Sequence, residues 1–462
     1  MSAVTFPTAL ASSWRDPLQF RARRVAVWYL AGTYVAFLVI GRSAEVPDLF
    51  YLTAFIAATI VVFCLGYALN VSFGPPIKPA SPIGKAPIAL IVVCALYFLA
   101  LGGTYLQISG VTNPLAILNA LVHPGEAYFN RLQAENAPNS PVIQVLTLTA
   151  GLYPLLIPLA VFHWQRLTLA IRWLVLLGIG IYAAYYIAIG TQKGLGDLVI
   201  FWVVSYAAKR AADRADTSTT DPKPFTRGQK TAVALVVTAF VGYMCFNQVD
   251  RLQSQNQESN FPPNPIIAAV LPESAARGLT LSLSYPVHGY LGLAYNLETP
   301  FQWTYGLGSS MAIGSYWHQY TGGDNQVANR YTARTERLSG WPDGMFWSTI
   351  YPWLASDLTY PGAVLFMGIA GWFLAKMWRD AVYRRRMLSL SLLCQLALFI
   401  AFVPANNQIG QGRPSLVAFV TTALLSLAGR MRREVRASRA GKAGARLHVD
   451  TMAMTAPPAA SL

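Results

Sequence analysis

The chain has 462 residues, 54% of them hydrophobic and only 12% charged, with a formal net charge of +15. So little polar surface cannot cover a water-soluble globule of this length, and apolar runs over 87–108, 142–162 and 231–246 approach the roughly 20 residues that cross a bilayer. The positive charge does not point to nucleic acid, because 26 of the 35 basic residues fall on one side of an alternating series of spans.

In chain order, a basic tail over 1–24 carries Arg21, Arg23 and Arg24 ahead of a first apolar run that is expected to be retained. Spans are expected near 25–40, 49–72, 86–108, 142–163, 167–190, 195–208, 230–247, 360–378, 387–404 and 413–429. Further apolar segments at 279–296 and 345–356 give ten to twelve crossings. Pro154 and Pro158 are expected to kink the fourth span by removing backbone donors. The expectation is an all-α polytopic membrane protein, since no closed-barrel alternation is present.

The organisation that follows is a cytoplasmic tail over 1–24 and a first group of seven spans over 25–247, with an outer loop at 109–141 and a cytoplasmic linker at 209–230. A large, partly helical extracytoplasmic loop covers 248–345, C-terminal spans cover 346–429, and a basic, disordered cytoplasmic tail covers 430–462. Gly74 to Ala86 is a proline-rich linker. The other nine basic residues, Arg42, Arg131, Lys193, Arg251, Arg277, Arg330, Arg334, Arg337 and Arg413, fall outside or at the outer face. All four cysteines lie in apolar runs and offer no disulfide framework.

The outer material mixes Arg, Asp, Glu, His, Trp and Tyr, as a site against a membrane does. In 329–337, Arg330, Arg334 and Arg337 stand at i, i+4 and i+7, so a helix would set three guanidiniums on one face. Such forks suit a pyrophosphate, and the plainer reading is a solvated face partly paired by Glu336. Arg413 follows the polar break Pro404-Ala-Asn-Asn-Gln408 and is either a ligand contact or a snorkelling helix end. Lys193, in the glycine turn 190–196, caps an outer turn whose backbone donors could face an anion.

His288, in an otherwise apolar segment, is a base or a hydrogen-bonded structural residue. Asp343 and Glu336 are the other catalytic candidates, with Glu298 behind them. An Asx turn at Asp343 and an N-cap at Asp357 are the structural alternatives. Tyr290, Tyr305 and Trp347 are read as glycan contacts beside Asn407 and Arg277, against the alternative of an interfacial aromatic belt. The histidines show no metal-ligand spacing, so no metal and no cofactor are expected.

Several patches resemble the O-antigen polymerase (oligosaccharide repeat-unit polymerase) superfamily of bacterial polysaccharide assembly. They are Ser284-Tyr-Pro-Val-His-Gly-Tyr-Leu-Gly-Leu293, Thr304-Tyr-Gly-Leu-Gly308, the run from Trp347 to Asp357 with Tyr360-Pro-Gly362, Pro404 to Gln408, and Gly190-Thr-Gln-Lys-Gly194. Arg330 and Arg334 precede Gly340 and Gly344 one residue closer than the family's paired loop motif has it.

The resemblance implies a membrane glycosyltransferase of the multi-spanning C type (GT-C-like) in the bacterial inner membrane, with both termini cytoplasmic and a periplasmic active site. Its substrate would be a polyprenyl-pyrophosphate-linked oligosaccharide, polymerised into O-antigen, capsular or exopolysaccharide. A flippase and a chain-length regulator would be its partners, beside membrane lipids and no nucleic acid. An O-antigen ligase, another lipid-linked-sugar glycosyltransferase, and a flippase or transporter are the alternatives.

Overall fold

The computed structural model describes residues 17–74, 86–111, 113–133, 140–216, 227–254, 262–344 and 346–432. Of the expected linkers and tails, residues 1–16, 75–85, 217–226 and 433–462 lie outside the described residues. Among the described residues every regular element is a helix. From the N-terminus run α1 (Arg21–Ile40), α2 (Leu49–Phe73) and α3 (Ile88–Ile108), then a bent pair, Pro141–Leu148 with Ala150–Arg166. Next come α4 (Leu169–Ala188), α5 (Lys193–Ala215) and α6 (Arg227–Ser254). The long loop holds α7 (Glu273–Ser284), α8 (Gly289–Glu298), α9 (Met311–Thr321) and α10 (Tyr331–Ser339), after which α11 (Tyr351–Val382), α12 (Met387–Phe402) and α13 (Arg413–Arg432) close the chain.

Six of these, α1 to α4, α11 and α13, are long and apolar enough to cross a membrane, and the bent pair makes a seventh if counted as one span. Among the described residues this is fewer than the ten to twelve crossings expected; the 230–247 run forms α6, and several of the other differences are local. α5 covers the expected 195–208 run but carries Lys193, Asp197, Lys209 and Arg210, and α12 has only 16 residues. The 279–296 segment divides into α7 and α8 around Pro286, and 345–356 joins 360–378 within α11. The expected kink in the fourth span is a 45° bend. Pro154 lies within a 3-10 stretch there, whereas Pro158 falls in the first turn of Leu156–His163, where no donor is lost.

Helix starts follow local chemistry. The Asp48 carboxylate accepts the Tyr51 amide at the head of α2, and Ser310 accepts that of Ile313 at the head of α9. Large apolar side chains on the spans, such as Trp28, Leu65, Leu365 and Ile369, are exposed, as a lipid-solvated surface requires.

The closest helix contact joins α2 and α11. A Cβ on Gly66 would lie 1.8 Å from the Gly368 carbonyl oxygen, and one on Gly371 2.1 Å from that of Phe63. Only glycine lets the two backbones approach so closely, which is how helices associate where lipid removes the hydrophobic drive. Alternation of the helices then sorts the molecule into two ends. At one, Trp378 bonds the Leu18 carbonyl, Tyr67 that of Gln19, Arg379 that of Asn70, and Arg385 meets Asp216. Most basic residues of the described chain gather at this basic end. At the other, the loop end, Asp250 accepts from Gly125 N, Asn264 donates to the Ile40 carbonyl and Ile350 N to that of Val403.

Gly66→Ala and Gly371→Ala are expected each to cost about 1–3 kcal/mol by overpacking a backbone contact that cannot give. Gly103→Ala, with open space around it, should be neutral or stabilising. Thermal melting in detergent separates the two classes.

Candidate functional site

The loop end is organised around the first turns of α11. That helix breaks at Thr359, whose φ of 65° and ψ of 168° are non-helical, so residues 351–358 form a short arm set off from the long span. A β-branched residue at positive φ persists only where its surroundings hold it. Along the arm, the Arg330 guanidinium lies 4.6 Å over the Trp353 ring. The Ser356 hydroxyl accepts the Tyr331 amide at 3.1 Å, and the Ser356 carbonyl accepts both the amide and the hydroxyl of Thr304.

Asp357 ends the arm. Its carboxylate accepts the amides of Gly306 at 2.8 Å, Ser309 at 2.7 Å and, more distantly, Gly308 at 3.4 Å. The N-cap expected of Asp357 is therefore not formed: helix already precedes it, and its oxygens face the turn at 304–309. That turn reverses through Tyr305 at φ 54° and Gly306 at φ 84°. The same loop is stitched to the polar break before α13. Asn407 donates to the Ser309 carbonyl at 2.7 Å, Ser310 to that of Gly410, and Arg413 to both the hydroxyl and the carbonyl of Ser315 while lying over the Tyr316 ring.

The three arginines at i, i+4 and i+7 do converge, and on an object the spacing alone did not suggest. Arg330 Nε donates to the Val327 carbonyl, Arg337 Nη2 to that of Ala328 and Arg334 Nε to that of Asn329. Three consecutive carbonyls of a 3-10 turn thus take three guanidiniums. Arg334 also donates to the Pro300 carbonyl at 2.6 Å. Arg330 and Arg334 are only 4% and 9% exposed, and Arg330 Nη1 and Arg334 Nη2 are buried without an acceptor among the described residues.

Asp343, expected in an exposed turn without a partner, instead stands 3.4 Å from Arg330. Burial pushes its carboxyl up, against the pull of that guanidinium, and burial also pushes Arg330 down. Desolvation therefore outweighs the attraction between them.

His288 is fixed at both ring nitrogens. Nδ1 lies 2.6 Å from the Ser284 carbonyl, so it carries the proton, and Nε2 accepts the Trp347 amide at 3.0 Å. Burial pushes the ring down to about 4, despite the Ser284 bond. The ring is neutral, as expected, but its lone pair already serves a backbone amide. The Trp347 carbonyl in turn accepts from the Trp341 indole.

Other candidates stand apart. Tyr290 is 1% exposed and packs against Tyr34 and Phe37 of α1, with its hydroxyl on Thr33 at 2.8 Å, so the glycan contact expected of it is closed by the core. Arg277 pairs with Glu273 one turn away on α7, which packs on α6. Glu336 and Glu298 are exposed. Tyr305 is exposed and packs beside Trp303, with ring centroids 5.0 Å apart and planes tilted by 35°.

Lys193 pairs with Asp197 at 3.5 Å inside a cleft of about 150 Å³. Tyr97, Tyr105, Tyr153, Tyr182 and Tyr186 line this cleft, and Gly412, Pro414 and Ser415 bring the Arg413 turn to its wall. Asp197 and the tyrosine group were not singled out from sequence, although the i, i+4 spacings of Lys193 with Asp197 and of Tyr182 with Tyr186 were there to find them. Among the described residues no three His, Cys, Asp or Glu side chains converge, and no metal-ligand set is assigned.

Compared with known proteins, the chain matches no family model, no curated protein and no solved structure. The site's own chemistry is therefore what a functional reading stands on.

His288 supplies a pH test. Its folded-state value lies below the ordinary 6.5, so its share of stability is complete above pH 6.5 and fades as pH falls towards 4. The gap in melting midpoint between wild type and His288→Gln is expected to narrow from about pH 7.5 to about pH 5. A gap that stays constant would show that the ring does not titrate in this window.

Proposed function

We propose that the chain is a multi-pass membrane glycosyltransferase that joins polyprenyl-pyrophosphate-linked oligosaccharide repeat units. The observation that carries this reading is the pair of buried guanidinium edges, Arg330 Nη1 and Arg334 Nη2, without an acceptor among the described residues, with Asp343, a carboxyl whose proton affinity burial raises, 3.4 Å from Arg330. A buried cation edge with nothing to bond is costly, and a bound oxyanion would satisfy it.

In the reaction, a hydroxyl of the acceptor repeat unit attacks the anomeric carbon of the donor glycan. The new glycosidic C–O bond forms as the C–O bond to pyrophosphate breaks, the hydroxyl proton passes to Asp343, and the polyprenyl pyrophosphate departs with the electron pair. Arg330 and Arg334 stabilise the charge that develops on the leaving group. Asp343 accepts a proton more readily than an ordinary carboxylate would, and it stands next to the cations rather than across the molecule. The exposed Trp303 and Tyr305 rings, tilted against one another, offer faces on which a sugar ring can lie. The membrane is the bacterial inner membrane, with the basic end in the cytoplasm and the loop end outside.

A transporter reading is favoured by one observation, the Lys193–Asp197 pair within a tyrosine-lined cleft between helices, since ionisable residues so placed often mark a pathway. Purified protein in liposomes with a defined lipid-linked repeat unit separates the two. On the glycosyltransferase reading, wild type lengthens the glycan, and Arg330→Ala or Arg334→Ala lowers transfer roughly 10²–10³-fold. Lysine should rescue poorly, because one ammonium cannot replace a guanidinium fork. Movement of the lipid-linked unit across the bilayer without lengthening, abolished by Asp197→Asn, would instead establish transport.

Reporter fusions at residues 220 and 440 are expected inside the cell. Either one outside would invert the molecule and place the arginine cluster on the wrong face for an externally presented substrate.

A further inference from the structure

The basic end holds a second site. Between α2 and α11 lies a cleft of about 170 Å³ into which Lys376, Arg379, Arg384 and Arg430 project around one carboxylate, Asp380. Asp380 is buried and is taken up by Arg384 at 2.7 Å and Arg386 at 3.1 Å, with Arg430 at 3.9 Å. Arg379 Nη1 is held at 2.8 Å by the Asn70 carbonyl. The Lys376 ammonium lies 4.8 Å over the Trp372 ring. Among the described residues four cations thus line a cleft that contains one anion, and a further negative charge would relieve their mutual repulsion.

The rim of the cleft says where that charge comes from. Phe73 is 83% exposed, and Leu69 and Trp372 are exposed beside it on the outer faces of the two spans. Leu65, Leu365 and Ile369 continue the apolar surface along the same helices. A soluble phosphate would answer the cations and leave this apolar rim unused. A lipid answers both at once.

We propose that the cleft binds the phosphodiester headgroup of an anionic phospholipid in the leaflet at the basic end, its acyl chains lying along Leu69, Phe73 and Trp372. This differs from diffuse attraction of a basic surface to a charged membrane, because the phosphate is held among fixed side chains beside a buried carboxylate. It requires nothing of the glycosyltransferase reading.

Delipidated full-length protein in neutral detergent, melted with added phosphatidylglycerol, phosphatidylcholine or inorganic phosphate, tests the proposal. Phosphatidylglycerol is expected to raise the wild-type midpoint by several degrees over phosphatidylcholine, and inorganic phosphate to raise it little. Lys376→Gln with Arg430→Gln should lose most of the phosphatidylglycerol-specific shift. Arg166→Gln with Arg172→Gln, which removes two charges at the same end outside the cleft, should keep it.

Equal shifts with the two lipids, an equal shift with inorganic phosphate, or equal loss in the two double variants would each overturn the site. Native mass spectrometry of wild type gives a measure independent of variant folding. One phosphatidylglycerol per chain should survive activation that strips phosphatidylcholine, and equal retention overturns the proposal.

Discussion

Ser356 and Asp357 hold the 304–309 turn by its backbone, and both stand on an arm that exists only because α11 breaks at Thr359. The turn in turn fixes Ser309 and Ser310, on which Asn407 and the 410 carbonyl are pinned, and Tyr331, at the start of the arginine helix, hangs from Ser356. Substituting Asp357 would therefore loosen both the aromatic pair at 303–305 and the seat of Arg413. A single side-chain carboxyl group accepting several amides is among the stronger local constraints a loop can have.

Around that frame, the electrostatics of the loop end are arranged at a cost. Arg330 and Asp343 are each driven towards neutrality by burial although they face one another, and Arg330 Nη1 and Arg334 Nη2 lack acceptors among the described residues. A purely structural arginine cluster at a protein surface would have its spare donors in water. Here α10 is tucked under the arm and under Thr299, which meets Thr335 at 2.8 Å. The proposed chemistry thus rests on groups whose charged forms burial disfavours.

Much of the bundle was legible in the sequence, because a span declares itself by length and apolarity: α1 to α4 and α13 match the expected spans to within a few residues. What lay beyond reach was tertiary. The i, i+4, i+7 spacing placed Arg330, Arg334 and Arg337 together but could not reveal that carbonyls 327–329 would meet them. Asp357 read as an N-cap because local reasoning looks a few residues ahead, whereas its donors come from about 50 residues upstream. Tyr290 resembled Tyr285 and Tyr295 of the same segment, and the approach of Thr33, 257 positions away, with Tyr34 and Phe37 removes it to the core. His288 read as neutral on polarity alone, and its engagement by Trp347 follows from the path of a distant segment.

The shortness of α12 carries a further consequence. Its 16 residues span about 24 Å, less than the roughly 30 Å of hydrocarbon in a typical bilayer. α12 is walled in by its neighbours, so the mismatch is met inside the protein rather than by thinning the lipid around it. The polar stretch from Pro404 to Gln411, and the Arg413 turn with it, is consequently held about 24 Å from the start of α12, short of where the far end of a full-length span would stand.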